Sequence, residues 1–251
     1  EGLTRAHNGK IIPGIAESWD VSEDGKVYTF HLRDAKWSDG EAVTADDFIY
    51  GWLRALDPKE PKYYTYFLYD IVGAEDYSKG KVSYENVGIK KIDSKTLEVR
   101  LNTPVTYFDY LVSFVTFAPV RQDVYEKYGM KYNTEAEIFV TNGPFKIETW
   151  KHDSEMIFVK NPSYWNASKI KLEKVTGLMI TEDSTEFNMY EAGELDHTIA
   201  LDKDQKSTLT KGNVKSYSDG SVWFFDFNCD DPIMKNKNIR KALTFAIDRK
   251  L

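Results

Sequence analysis

Residues 22–57, SEDGKVYTFHLRDAKWSDGEAVTADDFIYGWLRALD, decide how this chain folds. Ser22–Gly25 reads as a hairpin turn. Lys26–Leu32 then alternates apolar and polar residues with the period of a strand. Ala35–Gly40 (AKWSDG) is a second turn. Thr44 stands where a helix N-cap belongs, and Asp47 three residues on completes a short capping box. The helix is expected to run to about Leu56 and to stop before Pro58, because proline disfavours the helical conformation in its predecessor.

Outward from this stretch the same signals recur. Val87–Ile92 and Thr96–Leu101 form a predicted hairpin across Asp93–Lys95. Val105–Val115 and Gln122–Tyr128 are predicted helices. Gly143–Trp150 and Met156–Lys160 are predicted strands, and Leu172–Thr181 another. Ser184–Ala192 is a predicted helix capped by Ser184 and ended by Gly193. Val214–Tyr217 and Val222–Phe227 are predicted strands, and Ile239–Ile247 shows helical spacing. Strands and helices mix without strict alternation, so the expected class is α/β in the mixed, α+β sense.

Composition narrows the function. Of the 251 residues 41% are apolar and 29% charged, as in an ordinary globular protein. The net charge of −7, with acids and bases interleaved, gives nucleic-acid binding no electrostatic basis. No apolar run approaches the roughly 20 residues that span a bilayer. Cys229 is the single cysteine, so no internal disulfide is expected. The first residue is Glu1, and the last helix has no stop signal, so the chain is expected to be a fragment.

Enzyme chemistry finds no support in the residues. His7, His31, His152 and His197 are scattered, and none has a second ligand at metal-binding spacing. Ser218–Ser221 is a turn and not a nucleophile elbow, and no phosphate-cradling glycine motif occurs. No catalytic residue, metal or cofactor is therefore expected. Lys62–Tyr69 (KYYTYFLY) places five aromatics in eight positions, which suits either a core or a wet binding cleft.

Four stretches together resemble the peptide/nickel-type extracellular solute-binding proteins, the oligopeptide- and dipeptide-binding group. The first is Ile12–Asp57, whose core is F-x-L-R-x-x-x-W-S-D-G-x-x-V-T-A-x-D. The second is NGPFKIETW at 142–150 followed by NPSYW at 161–165. The third is YEAGELD at 190–196. The fourth is FN at 227–228 with IRKALTFAIDRKL at 239–251. Most of these residues are expected to shape the scaffold, with Trp37, Trp150 and Trp165 largely buried.

The resemblance implies a periplasmic-binding-protein-like receptor that closes two lobes on an extended peptide and hands it to the permease of an ABC importer. It implies an extra domain at 1–120 and the main, incomplete part of the first lobe at 121–251. The second lobe, with the acidic partner of the ligand's N-terminal ammonium, would follow residue 251. A monomer outside the cytoplasm is implied, in the periplasm or as a cell-surface lipoprotein anchored from outside this stretch. The implied ligand contacts are Tyr63, the backbone of His197, Thr198, Ile199, Ala200 and Leu201, and Trp223, Phe225 and Asn228. Two other readings stay open: a receptor of the same fold for a nickel chelate, sugar or haem, and a chaperone-like surface protein.

Overall fold

A computed structural model of the chain describes residues 1–60, 63–199, 201–209, 214–215, 222 and 224–248. Contacts divide it into two compact units, Glu1–Thr181 and Glu182–Leu251. The expected boundary after residue 120 lies inside the first.

The first unit opens with a hairpin, β1 (Thr4–His7) and β2 (Lys10–Pro13). Its turn is Asn8-Gly9, both at positive φ, the pairing that a two-residue type I′ turn requires. Next come β3 (Ala16–Val21) and β4 (Val27–Leu32), joined by the turn expected at Ser22–Gly25. The Ser22 hydroxyl donates to Asp24 and accepts from the Val27 N–H, so the turn carries its own hydrogen bonds. The Ser22 and Lys26 hydrogen bonds hold the Asp24 carboxyl below its ordinary range.

Helix α1 (Ala45–Ala55) follows, with Thr44 and Asp47 forming the expected capping box. A short helix α2 (Ala74–Ser78) leads to β5 (Ile89–Asp93) and β6 (Thr96–Arg100). These strands join β3 and β4 in one antiparallel sheet of order β3-β4-β6-β5. Alternation along β4 buries Tyr28, Phe30 and Leu32 on one face, and Leu97 and Val99 of β6 lie beside them in the core. Phe48 and Trp52 of α1, both fully buried, belong to the same core. Trp52 stands edge-on to Phe117 with ring centroids 5.2 Å apart, and its Nε1 donates to the Phe117 carbonyl at 2.8 Å.

The predicted helix at 105–115 is reduced to one turn, α3 (Phe108–Leu111), with separate turns around it. The segment is rich in β-branched and aromatic residues, which are weak helix formers. Successive turns bury Phe108, Val112 and Phe117 without a continuous helix. Helix α4 (Gln122–Tyr128) forms as expected. An antiparallel meander, β7 (Phe145–Lys151), β8 (Glu155–Lys160) and β9 (Lys174–Leu178), completes the unit.

The second unit contains α5 (Asp183–Glu191), α6 (Lys203–Thr208) and α7 (Lys237–Ala246). Helix α5 begins one residue earlier than expected, with Glu182 in place of Ser184 at the N-cap. Gly193, at a φ of 76°, follows the α5 C-cap Ala192, the place where a helix favours glycine. The strands expected at 214–217 and 222–227 do not form among the described residues: 214, 215, 222 and 224–227 lie outside any strand. Alternation alone makes no strand, because its backbone groups need a neighbouring strand to pair with. Every described strand pairing is antiparallel, so the mixed class resolves to α+β.

One ion-pair cluster ties the first unit together across sequence. Arg121 is buried and donates to both oxygens of Asp39 at 3.1 and 2.9 Å and to Asp123 at 2.8 and 2.7 Å. Its guanidinium lies over the ring of Trp37, 5.9 Å from the centroid. The Arg121 hydrogen bonds hold the Asp123 carboxyl below its ordinary range, whereas burial pushes that of Asp47 up. Both effects predict how Arg121→Gln behaves. A depressed folded pKa at Asp123 gives stability that is complete above the ordinary carboxylate range and is lost as pH falls through the lowered value. Removing the cation also leaves Asp47 less favourably charged, which protonation relieves. The variant is expected to lose about 1 kcal/mol at neutral pH, since the carboxylates paired with Arg121, Asp39 and Asp123, are both partly solvated. The gap should close as pH falls through the lowered Asp123 value. Urea unfolding at several pH values measures it, and a gap that widens in acid would refute this account.

Candidate functional site

The residues singled out from sequence fall in both units. In the first unit, Tyr63 is 91% exposed and makes no ring contact among the described residues. Its neighbours are tied down. Tyr64, at the left-handed φ of 62°, stacks on Phe67 with centroids 5.7 Å apart and meets Phe114 edge-on at 5.4 Å. Tyr66 packs on Phe67 at 4.6 Å. Of the three tyrosines, Tyr63 alone presents its whole ring to solvent, on a base that the other two stiffen.

In the second unit, His197, Thr198, Ile199 and Leu201 come together around a recess of about 580 Å3, with Tyr190, Asp196 and Lys206 also in its wall. Ala200 lies outside the described residues. The stretch 197–199 belongs to no sheet. It is held from α5, where Glu186 accepts the Thr198 hydroxyl at 2.5 Å and the Ile199 N–H at 3.2 Å. The Ile199 N–H is therefore engaged within the protein. An extended ligand pairing here would use the neighbouring backbone groups and meet a loop, not the edge of an existing sheet. Sequence reading missed Glu186, since nothing in a helical run of polar residues marks which one reaches a loop twelve positions on.

Of the third group, two residues are described. Trp223 lies outside the described residues, Phe225 is 79% exposed, and Asn228 uses its carboxamide oxygen to accept the Asp230 N–H. Among the described residues no three His, Cys, Asp or Glu side chains are grouped as a metal ion would need. None of the helices among the described residues is long and apolar enough to cross a membrane.

The tryptophans of the motifs divide. Trp37 is 2% exposed, and its Nε1 points to Asp47. Trp165 is half-buried, covered by the Arg33 guanidinium 3.7 Å from its centroid, and donates to Glu1. Trp150, also half-buried, stacks on His152. The W-S-D-G motif is thus a structural clip, since Trp37 and Asp39 both engage Arg121.

The chain belongs to the bacterial extracellular solute-binding proteins, family 5, whose family model matches residues 10–251. It is 42% identical over 257 aligned residues to the oligopeptide-binding protein OppA of Bacillus subtilis (strain 168), covering 99% of this chain and 47% of that protein. OppA of Burkholderia pseudomallei superposes with a TM-score of 0.91 at 33% identity, over 99% of this chain and 50% of that one. OppA of Haemophilus influenzae in complex with RPPGFSPFR gives 0.87 at 34% identity, over 99% and 50%. The chain spans about half the length of the curated relatives it matches.

Proposed function

We propose that this chain is part of a receptor that captures oligopeptides outside the cytoplasm and delivers them to the permease subunits of an ABC importer. The observation that carries this is the likeness, over nearly the whole chain, to OppA of Haemophilus influenzae in complex with RPPGFSPFR. In the whole protein, residues 1–120 form the extra domain and 121–251 the main part of the first lobe. That division follows lobes and crosses a compact unit. The protein works as a monomer without catalysis, and any lipid anchor lies outside this stretch.

A receptor for peptides of varied sequence gains most by holding what all peptides share, the backbone. The recess at His197–Leu201 offers backbone groups in a loop that Glu186 holds in place. Tyr63 supplies an exposed ring and hydroxyl to the ligand, and Trp223, Phe225 and Asn228 add contacts at its edge.

Mass spectrometry of ligands carried through purification by the full-length protein tests the substrate class. Oligopeptides are the expected cargo, and a nickel chelate, sugar or haem in their place would overturn the reading. Backbone recognition has its own test in peptide titrations of the full-length protein. His197→Ala is expected to change peptide affinity by less than about twofold. Leu201→Pro, which deletes an N–H, should weaken it by about tenfold in an enclosed site. The reverse pattern would place recognition in the side chains.

A further inference from the structure

A groove on the first unit is lined by none of the residues assigned above to the peptide. It has a volume of about 450 Å3, within the range of small-ligand sites. Ile49 and Leu53, on the outer side of α1, form an apolar floor that packs onto the core from above. Four tyrosines contribute rings to its walls: Tyr50 of α1, Tyr77 of α2, Tyr84 beyond it and Tyr125 of α4. Carboxylates line it as well, Asp46, Asp57 and Glu60.

The charges do not cancel. Asp46 is paired with Lys91 at 2.6 Å. Glu60 accepts the Tyr125 hydroxyl at 2.9 Å and lies 4.0 Å from Arg54. Asp57 has no ion pair among the described residues, and its carboxylate accepts only the Lys59 N–H. The Tyr77 hydroxyl is held above its ordinary range by burial and then by Asp57 and Glu85, as expected in a negative environment. The groove also shows that its rings accept a cation, because the Arg54 guanidinium lies 4.0 Å from the centroid of Tyr125.

An anion placed here would meet the unpaired charge of Asp57, while Arg54 is already engaged with Tyr125 and Glu60. A neutral apolar molecule would strip water from Asp57 without pairing it, which is costly. A protonated amine on an aromatic or apolar body satisfies both the floor and the charge. We propose that this groove is a binding site for small organic cations of that kind, separate from the peptide site and independent of the peptide reading.

Phenethylamine is the probe, titrated into the 251-residue chain by calorimetry, with 3-phenylpropionate as an anion of similar size. Saturable binding of the amine is expected, with the anion at least about tenfold weaker. Asp57→Asn should weaken the amine by about tenfold, and Tyr84→Ala by about two- to fivefold. Tyr84 is 55% exposed, so its truncation leaves the core intact, and an unchanged urea midpoint checks this. In the full-length protein, peptide affinity should be the same with and without Asp57→Asn. The proposal fails if the amine does not saturate, if the anion binds as well, or if Asp57→Asn leaves the amine affinity unchanged. It also fails if peptide and amine compete for one site.

Discussion

Trp52→Ala is expected to destabilise the first unit by about 3–5 kcal/mol. The indole is fully buried between its own helix α1 and the turn that follows α3, against Phe48 and Phe117. Truncation opens a cavity that these neighbours cannot fill, because both are themselves fully buried. It also strands the Phe117 carbonyl, which now accepts from Nε1 at 2.8 Å. Trp52→Phe separates the two contributions. It keeps most of the ring packing and loses the hydrogen bond, so about 1–3 kcal/mol is expected. Urea unfolding followed by tryptophan fluorescence and by circular dichroism gives both values. Equal losses in the two variants would show that packing at this site contributes little.

Gly73→Ala comes next in size. Gly73 precedes α2 at φ +71°, and an added Cβ would lie 2.3 Å from the Asn86 carbonyl oxygen. The left-handed conformation costs a side-chain-bearing residue about 1–3 kcal/mol. Pushing the Asn86 backbone aside adds about 1–3 kcal/mol more, by the ordinary cost of overpacking. Gly80 is the control. Its φ is +69°, yet nothing lies within 4 Å of the position its Cβ would take. Gly80→Ala therefore carries the conformational cost alone. The urea midpoint should fall clearly further for Gly73→Ala, and identical midpoints would show that the Asn86 loop yields freely.

How far the sequence reached differs between local and distant features. The turn at Ser22–Gly25, strand β4, the Thr44/Asp47 capping box and the stop after Leu56 were all legible, because each depends on residues a few positions apart. The hairpin of β1 and β2 was legible too, in its Asn8-Gly9 turn, but was passed over. The helix predicted at 105–115 shortens because its β-branched and aromatic residues are weak helix formers, whereas the described residues of 214–227 lie outside any strand. Periodicity reports what a segment would do with a partner in place, and the partner decides whether it does so.

The candidate site divides in the same way. The motifs identified the family, and their order along the chain pointed to residues 197–201. Sequence could not say that Glu186 holds that loop or that Tyr63 stands free while Tyr64 and Tyr66 stack. Nor could it show that Arg121 joins Asp39 across 82 positions, or that four tyrosines from three helices and the loop at Tyr84 share one groove with Asp57. Caps, turns and strand alternation were determined by the sequence alone, since their hydrogen bonds close within a few residues. The arginine clip, the loop brace and the groove were decided only by the tertiary structure. Their partners are brought together by burial of the common core, and core burial is non-directional and leaves no local pattern to read.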